Sequence, residues 1–258
     1  GGVGRWMSAG GDDPVPEAVA EAVEGSRAAL CSALAEPLSA WRPEIRASRS
    51  PAPVVFSSAG DRGGGAWRRF RAELLFSLDA DKGRKLLSTL KDIFENYCLF
   101  QRRVQWDPSI ATQRELHCWQ GGFSCVAYTT GSAAGGAIGP RLMVDIRRHR
   151  AAELPFENCS TNCTDYDAEA LHGLEGLKKH VRAANLPGGG STLTEEQPLA
   201  SGGRRLFRFR MLGRTDLGGW LPAALANSAS AGAYRDILSG GVPAIIAAGG
   251  RLEPWQEH

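Results

Sequence analysis

Arginine carries most of the potential chemistry in this chain. Arg102 with Arg103, Arg141 with Arg147, Arg148 and Arg150, and the run from Arg204 to Arg210 concentrate guanidinium groups, whose planar fork suits two-point contact with phosphate or carboxylate. Exposed strand faces would account for the same clusters. The other reactive types are dispersed. His117, His149, His172, His180 and His258 share no ligand spacing, and His172 and His180 meet on one helix face only if Gly173 and Gly176 leave that helix intact. Cys159 and Cys163 would share a strand face, but two thiols without further ligands do not make a zinc site. The sequence has no phosphate-binding loop, no histidine pair around a glutamate and no CxxC. The glycine-rich segments Gly131 to Gly139 and Gly188 to Gly190 lack the strand and helix of a dinucleotide fingerprint, and nothing positive supports a Ser-His-Asp set. The expectation is no catalytic residue, no metal and no cofactor; Asp107 and His149 are the titratable groups to examine if the chain were an enzyme.

Composition narrows the class. A chain of 258 residues, 43% hydrophobic and 22% charged, can close a core without disulfides or metal and fits neither disorder nor a fibrous protein. A net charge of +2 supplies no long-range field that would by itself draw nucleic acid or a membrane. No apolar run approaches the roughly 20 residues that span a bilayer. The 32 glycines and 14 prolines gather in connections, which implies short elements joined by many turns. Six cysteines, Cys31, Cys98, Cys118, Cys125, Cys159 and Cys163, are scattered in a way that reads as reduced thiols. Asn158-Cys159-Ser160 and Asn162-Cys163-Thr164 fit the glycosylation acceptor pattern. The start, Gly1-Gly2-Val3-Gly4, resembles an excised fragment, so the expected location, cytoplasmic or peripheral to a membrane, leaves lumenal and secreted alternatives open.

Periodicity places the elements. Residues 1–14 read as a disordered tail. Val19, Val23, Leu30, Leu34 and Leu38 recur at helical intervals between Pro16 and Pro37. Trp41 to Arg46, Pro53 to Phe56 and Trp67 to Phe76 read as strands, with Gly60 to Gly65 as a loop. Asp79, Ala80 and Asp81 precede a helix carrying Leu86, Leu87, Leu90, Ile93 and Phe94 and ending near Tyr97. Strands at Ile110 to Cys118 and Phe123 to Thr130 flank Trp119-Gln120-Gly121-Gly122, a hairpin signal. Further strands are expected at Leu142 to Arg147, Pro155 to Thr164, Val181 to Leu186 and Arg204 to Gly213, with a partly helical connection through Leu171, Leu174 and Leu177. The last element is an Ala-rich helix from Pro222 to Leu238, whose face of Leu221, Leu225, Ala229, Ala233 and Ile237 is unusually small. Either a partner surface comes very close to it or a cavity lies beneath it.

Four segments then carry a resemblance. Arg103-Val104-Gln105-Trp106-Asp107-Pro108 resembles the R-x-x-W-D-P segment of the START lipid-transfer domains. Ile138-Gly139-Pro140-Arg141-Leu142-Met143-Val144-Asp145-Ile146-Arg147 is similar to their I-x-P-R-D-F-V-x-x-R motif, Val181-Arg182-Ala183 to a later V-R-A, and Asp216-Leu217-Gly218-Gly219-Trp220-Leu221-Pro222 to the D-x-G-G-x-L-P entry into the final helix. The four occur in the family's order across about residues 17–240. The resemblance implies an α+β helix-grip fold: a curved antiparallel sheet wrapped around a long C-terminal helix with an internal lipid tunnel, as one domain over residues 15–248, with 249–258 a C-terminal tail. It also implies a gate that opens at a membrane, placed at the Gly131 to Gly139 loop and the start of the final helix.

The resemblance further implies which residues would hold the lipid. In the phosphatidylcholine-binding branch an arginine three residues before the motif tryptophan binds phosphate and the following aspartate helps hold choline; Arg103 and Asp107 match. Thr130 and Met143 stand where that branch has caging aromatics, and Tyr128 is a partial substitute. In the sterol-binding branch, which Ala133-Ala134-Gly135 through Arg141 also resembles, an acidic residue pairs with the arginine matching Arg147. By ungapped spacing that acidic position is Tyr128, so Arg147 lacks this carboxylate and could hold a phosphate unless another acid compensates. Arg103, Asp107 and Arg147 are equally compatible with internal salt bridges, Arg141 suits a structural ion pair, and Trp106 suits a core anchor. Phe209 and Met211 on one strand face, with Leu225, Ala229 and Ala233 on the helix, complete the expected lining. The function so implied is a carrier of one lipid, foremost a glycerophospholipid, visiting membranes transiently as a monomer without nucleic acid. A sterol carrier, an enzyme on an apolar substrate and a ligand-sensing module are the alternatives.

Overall fold

The computed structural model describes residues 13–45, 52–58, 68–79, 84–172, 180–196 and 203–255. The expected loop at Gly60 to Gly65, the strand start at Trp67, the capping residues Ala80 and Asp81 and the connection through Leu174 and Leu177 lie outside them. Helix α1 (Glu17–Ala35) is followed by strands β1 (Trp41–Ile45), β2 (Val54–Ser58) and β3 (Phe70–Asp79). Next come helices α2 (Arg84–Cys98) and α3 (Phe100–Arg103). Strands β4 (Ile110–Trp119), β5 (Phe123–Thr130), β6 (Arg141–Arg150) and β7 (Phe156–Asn162) lead to the short helix α4 (Asp167–Leu171). Strands β8 (Val181–Arg182), β9 (Ala184–Asn185), β10 (Gly189–Glu195), β11 (Arg204–Gly213) and β12 (Thr215–Asp216) precede α5 (Ala223–Gly240), α6 (Val242–Ala247) and β13 (Arg251–Leu252).

The sheet runs β1-β2-β3-β11-β10-β7-β6-β5-β4, with β13 added to β3 and β8 to β6. All pairings along that path are antiparallel, and β8 is parallel to β6. The sheet is not closed: β1 and β4 are its edges. Alternation along each strand sends side chains to two cores. On one face Leu74 and Phe76 of β3, Phe207 and Phe209 of β11 and Phe156 of β7 pack with Leu90, Phe94 and Tyr97 of α2 and Leu238 of α5. On the other, Val19, Val23 and Leu30 of α1 pack on Phe123, Cys125, Val144 and Ile146.

Several boundaries differ from the periodicity. Helix α1 stops at Ala35, short of Leu38, because Glu36 precedes Pro37 and takes an extended conformation. The expected strand Val181 to Leu186 divides into β8 and β9. Strand β10 was hidden in a segment that reads as glycine turns. Its Gly190 is required by close packing: a Cβ there would lie 2.8 Å from Leu30 of α1 and 2.4 Å from the Asn158 carbonyl oxygen. All six cysteines are free thiols. No helix among the described residues is long and apolar enough to cross a membrane.

The expected C-terminal tail is corrected. Arg251 and Leu252 pair with Ser77 and Phe76, and the Trp255 indole donates to Glu73 Oε2 at 3.0 Å. Glu73, fully buried, also pairs with Arg71 Nε at 2.7 Å and Arg208 Nη1 at 2.7 Å. Arg208 reaches Glu196 at 2.9 Å and Arg210 reaches it at 3.3 Å. Within the arginine run on β11, Arg208 belongs to a buried ion network and not to an exposed face, and Arg205 pairs with Glu195 at the surface. Burial works to raise the Glu73 pKa, but Arg71, Trp255 and Arg208 outweigh it and hold the carboxyl below its ordinary value of 4.5. A depressed carboxyl contributes stability above its unfolded pKa and loses it as pH falls through the folded one. Glu73→Gln is therefore expected to cost about 3–5 kcal/mol at neutral pH, with the gap to wild type narrowing below about pH 4.5. Urea unfolding across pH 3–7 checks this, and a gap independent of pH would contradict it.

Candidate functional site

Between the β4–β6 end of the sheet and α5 lies a cavity of about 270 Å³. Strand alternation supplies one wall: Met143, Asp145 and Arg147 of β6 line it while Val144 and Ile146 point to the α1 core. Tyr128 and Thr130 of β5, Tyr97 and Cys98 of α2, Phe100 and Arg103 of α3, and Met211 of β11 add to it. Helix α5 contributes Ala229, Ala233, Tyr234 and Ile237, so the small-residue face overlooks the cavity. Among the expected site residues, Arg103, Tyr128, Thr130, Met143, Arg147, Met211, Ala229 and Ala233 are brought together here. Asp107, Phe209 and Leu225 are not part of the lining. Phe209, two residues before Met211 on the same strand face, is fully buried against Tyr97 of α2, ring centroids 4.5 Å apart. Leu225 belongs to the first turn of α5, outside the stretch of that helix that faces the cavity.

The polar end of the cavity is built around Asp145, 1% exposed, and Arg147, 5% exposed. Arg147 Nη2 lies 3.6 Å from Asp145 Oδ2. The same oxygen accepts from Asn185 Nδ2 at 2.7 Å and from the Tyr128 hydroxyl at 3.3 Å. The Arg147 guanidinium rests 4.2 Å from the centroid of the Phe100 ring, and that ring packs on Tyr128 at a 39° tilt, centroids 4.2 Å apart. Asp145 is thus the acid that Arg147 was expected to lack. Its signal was present, since residues two apart on a strand face the same side, but the family's spacing pointed to Tyr128. Asp145 Oδ1, Arg147 Nε and Asn158 Oδ1 are buried with no hydrogen-bond partner among the described residues.

The second expected pair is also an internal one. Arg103 bonds Asp107 through Nε at 3.1 Å and through Nη2, and Ser109 donates to the other carboxylate oxygen from its amide at 2.9 Å and its hydroxyl at 2.6 Å. Burial pushes the Asp107 pKa up, but Arg103 and Ser109 more than reverse this and hold it below the usual carboxylate range. Asp107 therefore anchors Arg103. Among the described residues Arg141 forms no ion pair: Nε donates to the Leu217 carbonyl at 2.6 Å and Nη1 to that of Gly139 at 2.9 Å. Trp106, half-buried, donates to Asn96 Oδ1 at 3.2 Å and meets Tyr97 edge-on. Burial pushes the Cys98 thiol up to about 12, which leaves it a poor nucleophile. Asn158 is 7% exposed and Asn162 accepts from Arg182 at 2.6 Å, so the first acceptor pattern is closed to modification in the folded chain.

Burial raises the Asp145 carboxyl above its ordinary 3.8, with Arg147, Asn185, Arg182 and Tyr128 opposing it. A carboxyl with a raised folded pKa makes stability fall as pH rises from the unfolded value through the folded one. Removing Arg147 raises it further and widens that window. Arg147→Met is expected to destabilise progressively above about pH 4, approaching about 3–5 kcal/mol at neutral pH. Adding Asp145→Asn should remove the pH dependence. Denaturant unfolding from pH 4 to 8 reads both, and a loss in Arg147→Met that is constant with pH would contradict the pairing.

No family model matches the sequence, and no curated protein matches it as a relative. Solved structures do match. Human StAR-related lipid transfer protein 5 superposes with a TM-score of 0.64 at 18% identity, over 88% of this chain and 98% of that one. Human STARD10 gives 0.60 at 14% identity, over 90% and 80%. The human StarD13 (DLC2) lipid transfer and protein localization domain gives 0.52 at 13% identity, over 83% and 90%. At these identities the likeness speaks for architecture alone: the open antiparallel sheet gripping a C-terminal helix is the START, or helix-grip, fold.

Proposed function

We propose that this protein binds one lipid in the cavity beneath α5 and carries it between membranes. The observation that carries the reading is an apolar chamber lined by Asp145, Arg147 and Asn158, whose Oδ1, Nε and Oδ1 atoms are buried with no hydrogen-bond partner among the described residues. Leaving such atoms unpaired costs about 1–3 kcal/mol each. A bound head group relieves that by offering a donor to the carboxylate and an acceptor to the guanidinium. Two of the structural neighbours named above carry lipid transfer in their names, which supports the same class.

The lipid favoured is the sterol-type alternative over the glycerophospholipid. Arg103 and Arg147 are each matched by an aspartate, so a phosphodiester brought to either would also meet a carboxylate, a like-charge contact. A volume of about 270 Å³ lies at the small end of ligand cavities and suits a compact molecule better than two acyl chains. One hydroxyl both donates and accepts, which is what Asp145 Oδ1 and Arg147 Nε require. Carriage is preferred to catalysis with the lipid-transfer names of the neighbours as support; Asp107 and His149 do not line the cavity. A monomer that visits membranes, with a cytoplasmic or membrane-peripheral location, goes with this reading.

Native mass spectrometry of the purified protein should find one lipid per chain, and vesicle-to-vesicle transfer should follow sterol more than phosphatidylcholine. Ala233→Trp and Ala229→Trp, which fill the chamber from α5, are expected to abolish both signals while thermal unfolding stays cooperative. No retained lipid and no transfer from any donor vesicle would overturn the carrier reading; unaltered transfer in both variants would overturn the assignment of the cavity.

A further inference from the structure

Three tyrosines line the cavity, and their hydroxyls differ in what they meet. The Tyr97 hydroxyl donates to the Leu238 carbonyl at 2.9 Å, and that of Tyr128 is held by Asp145 and Asn185. The Tyr234 hydroxyl, on α5, has no such partner among the described residues. Burial, opposed by Arg103, pushes its pKa up and keeps the proton on the phenol. The ring is fixed by a stack on Phe70, centroids 5.9 Å apart. Its hydroxyl end comes down on the sheet at Gly213, another lining residue, where a Cβ would lie 2.2 Å from the phenol oxygen. Glycine there makes room for it. Ser230, one turn earlier on α5, also lines the cavity.

Strand register sets how far this hydroxyl stands from the Asp145 and Arg147 end. Arg147 is opposite Ser160, and Ser160 is opposite Gly189. Gly190 is opposite Leu212, which brings Gly189 beside Gly213. These four residues form one row across β6, β7, β10 and β11, and all of them line the cavity. Three strand spacings separate Arg147 from Gly213, about 14 Å. The cavity floor therefore has a buried ion pair at one end of the row and a phenol at the other. Hydrocarbon laid against that phenol would leave a buried donor unpaired, whereas an oxygen there would accept from it.

We propose that Tyr234, with Ser230 beside it, binds a second polar group of the cargo. The cargo is then an apolar molecule of about sterol length with oxygen at both ends. One end is a hydroxyl received by Asp145 and Arg147; the other is a hydroxyl or ketone that accepts from the Tyr234 phenol. A molecule with a single polar end meets half of the site. The inference rests on the lipid-binding reading of the cavity and narrows it.

Cholesterol, 22-hydroxycholesterol and 7-hydroxycholesterol are titrated against the lipid-free full chain. The added hydroxyl lies on the side chain, far from the first, in the 22-derivative and on the ring system, close to the first, in the 7-derivative. The 22-derivative is expected to bind about tenfold more tightly than cholesterol, the effect of one added hydrogen bond, and the 7-derivative no more tightly. Tyr234→Phe keeps the ring on Phe70 and removes only the oxygen; it should bring cholesterol and the 22-derivative to equal affinity, and Ser230→Ala should reduce the difference by less. Thermal unfolding of Tyr234→Phe should match wild type, which establishes that the loss is not one of fold. Equal binding of cholesterol and the 22-derivative by wild type, an equal gain for both derivatives, or a preference that survives in Tyr234→Phe would overturn the second contact and leave the carrier reading in place. Binding of none of the three would overturn the sterol reading and this inference with it.

Discussion

A carboxylate and a guanidinium set inside an apolar chamber must be held together, because either one alone in that place would carry most of its desolvation penalty. Asp145 and Arg147 meet this constraint from one face of one strand. Their neighbours complete it: Asn185 and Tyr128 donate to the carboxylate, and the Phe100 ring backs the guanidinium. Thr215 in turn donates to Asn185 at 2.8 Å, which couples β12, and through it the entrance to α5, to the same pair. Both residues line the cavity, and Asp145 Oδ1 and Arg147 Nε are buried with no hydrogen-bond partner among the described residues.

The second buried charge network differs in place, since its residues do not line the cavity. Glu73 has Arg71, Arg208 and Trp255 around both oxygens, and it lies on the opposite face of the sheet, where the strand alternation that gives Phe207 and Phe209 to the core turns Arg208 and Arg210 away from it. It fastens the C-terminal segment to the central strands. What separates the scaffold from the site is position: the Glu73 network lies on the sheet face away from the cavity, and Asp145 and Arg147 line it.

Much of this was legible in the residues. The small face of the last helix implied a cavity, and Ala229, Ala233 and Ile237 line one; the glycine-centred hairpin between β4 and β5 lies where Gly121 and Gly122 placed it. The four motif segments pointed to the fold that the structure has. What escaped has specific causes. Strand β10 begins with Gly189 and Gly190, and at Gly190 a side chain would collide with Leu30 of α1 and the Asn158 carbonyl, so a glycine there reflects packing and not a turn. Helix α3, four residues long, is too short for a period. Trp255 and Glu253 carry no pattern in one dimension, because their partners Glu73 and Ser77 are far away in sequence. Asp145 was passed over because matching by family spacing displaced the simpler rule that alternate strand residues share a face.

The most direct test of the central claim compares two ligands that differ in one group: a sterol and the same hydrocarbon without its hydroxyl, titrated against the lipid-free protein. If Asp145 and Arg147 receive the head group, the hydroxyl should strengthen binding by about ten- to a hundredfold, the range of a hydrogen bond to charged partners, and Arg147→Met with Asp145→Asn should erase the difference. Equal affinity for the two ligands in the wild-type protein would contradict the account.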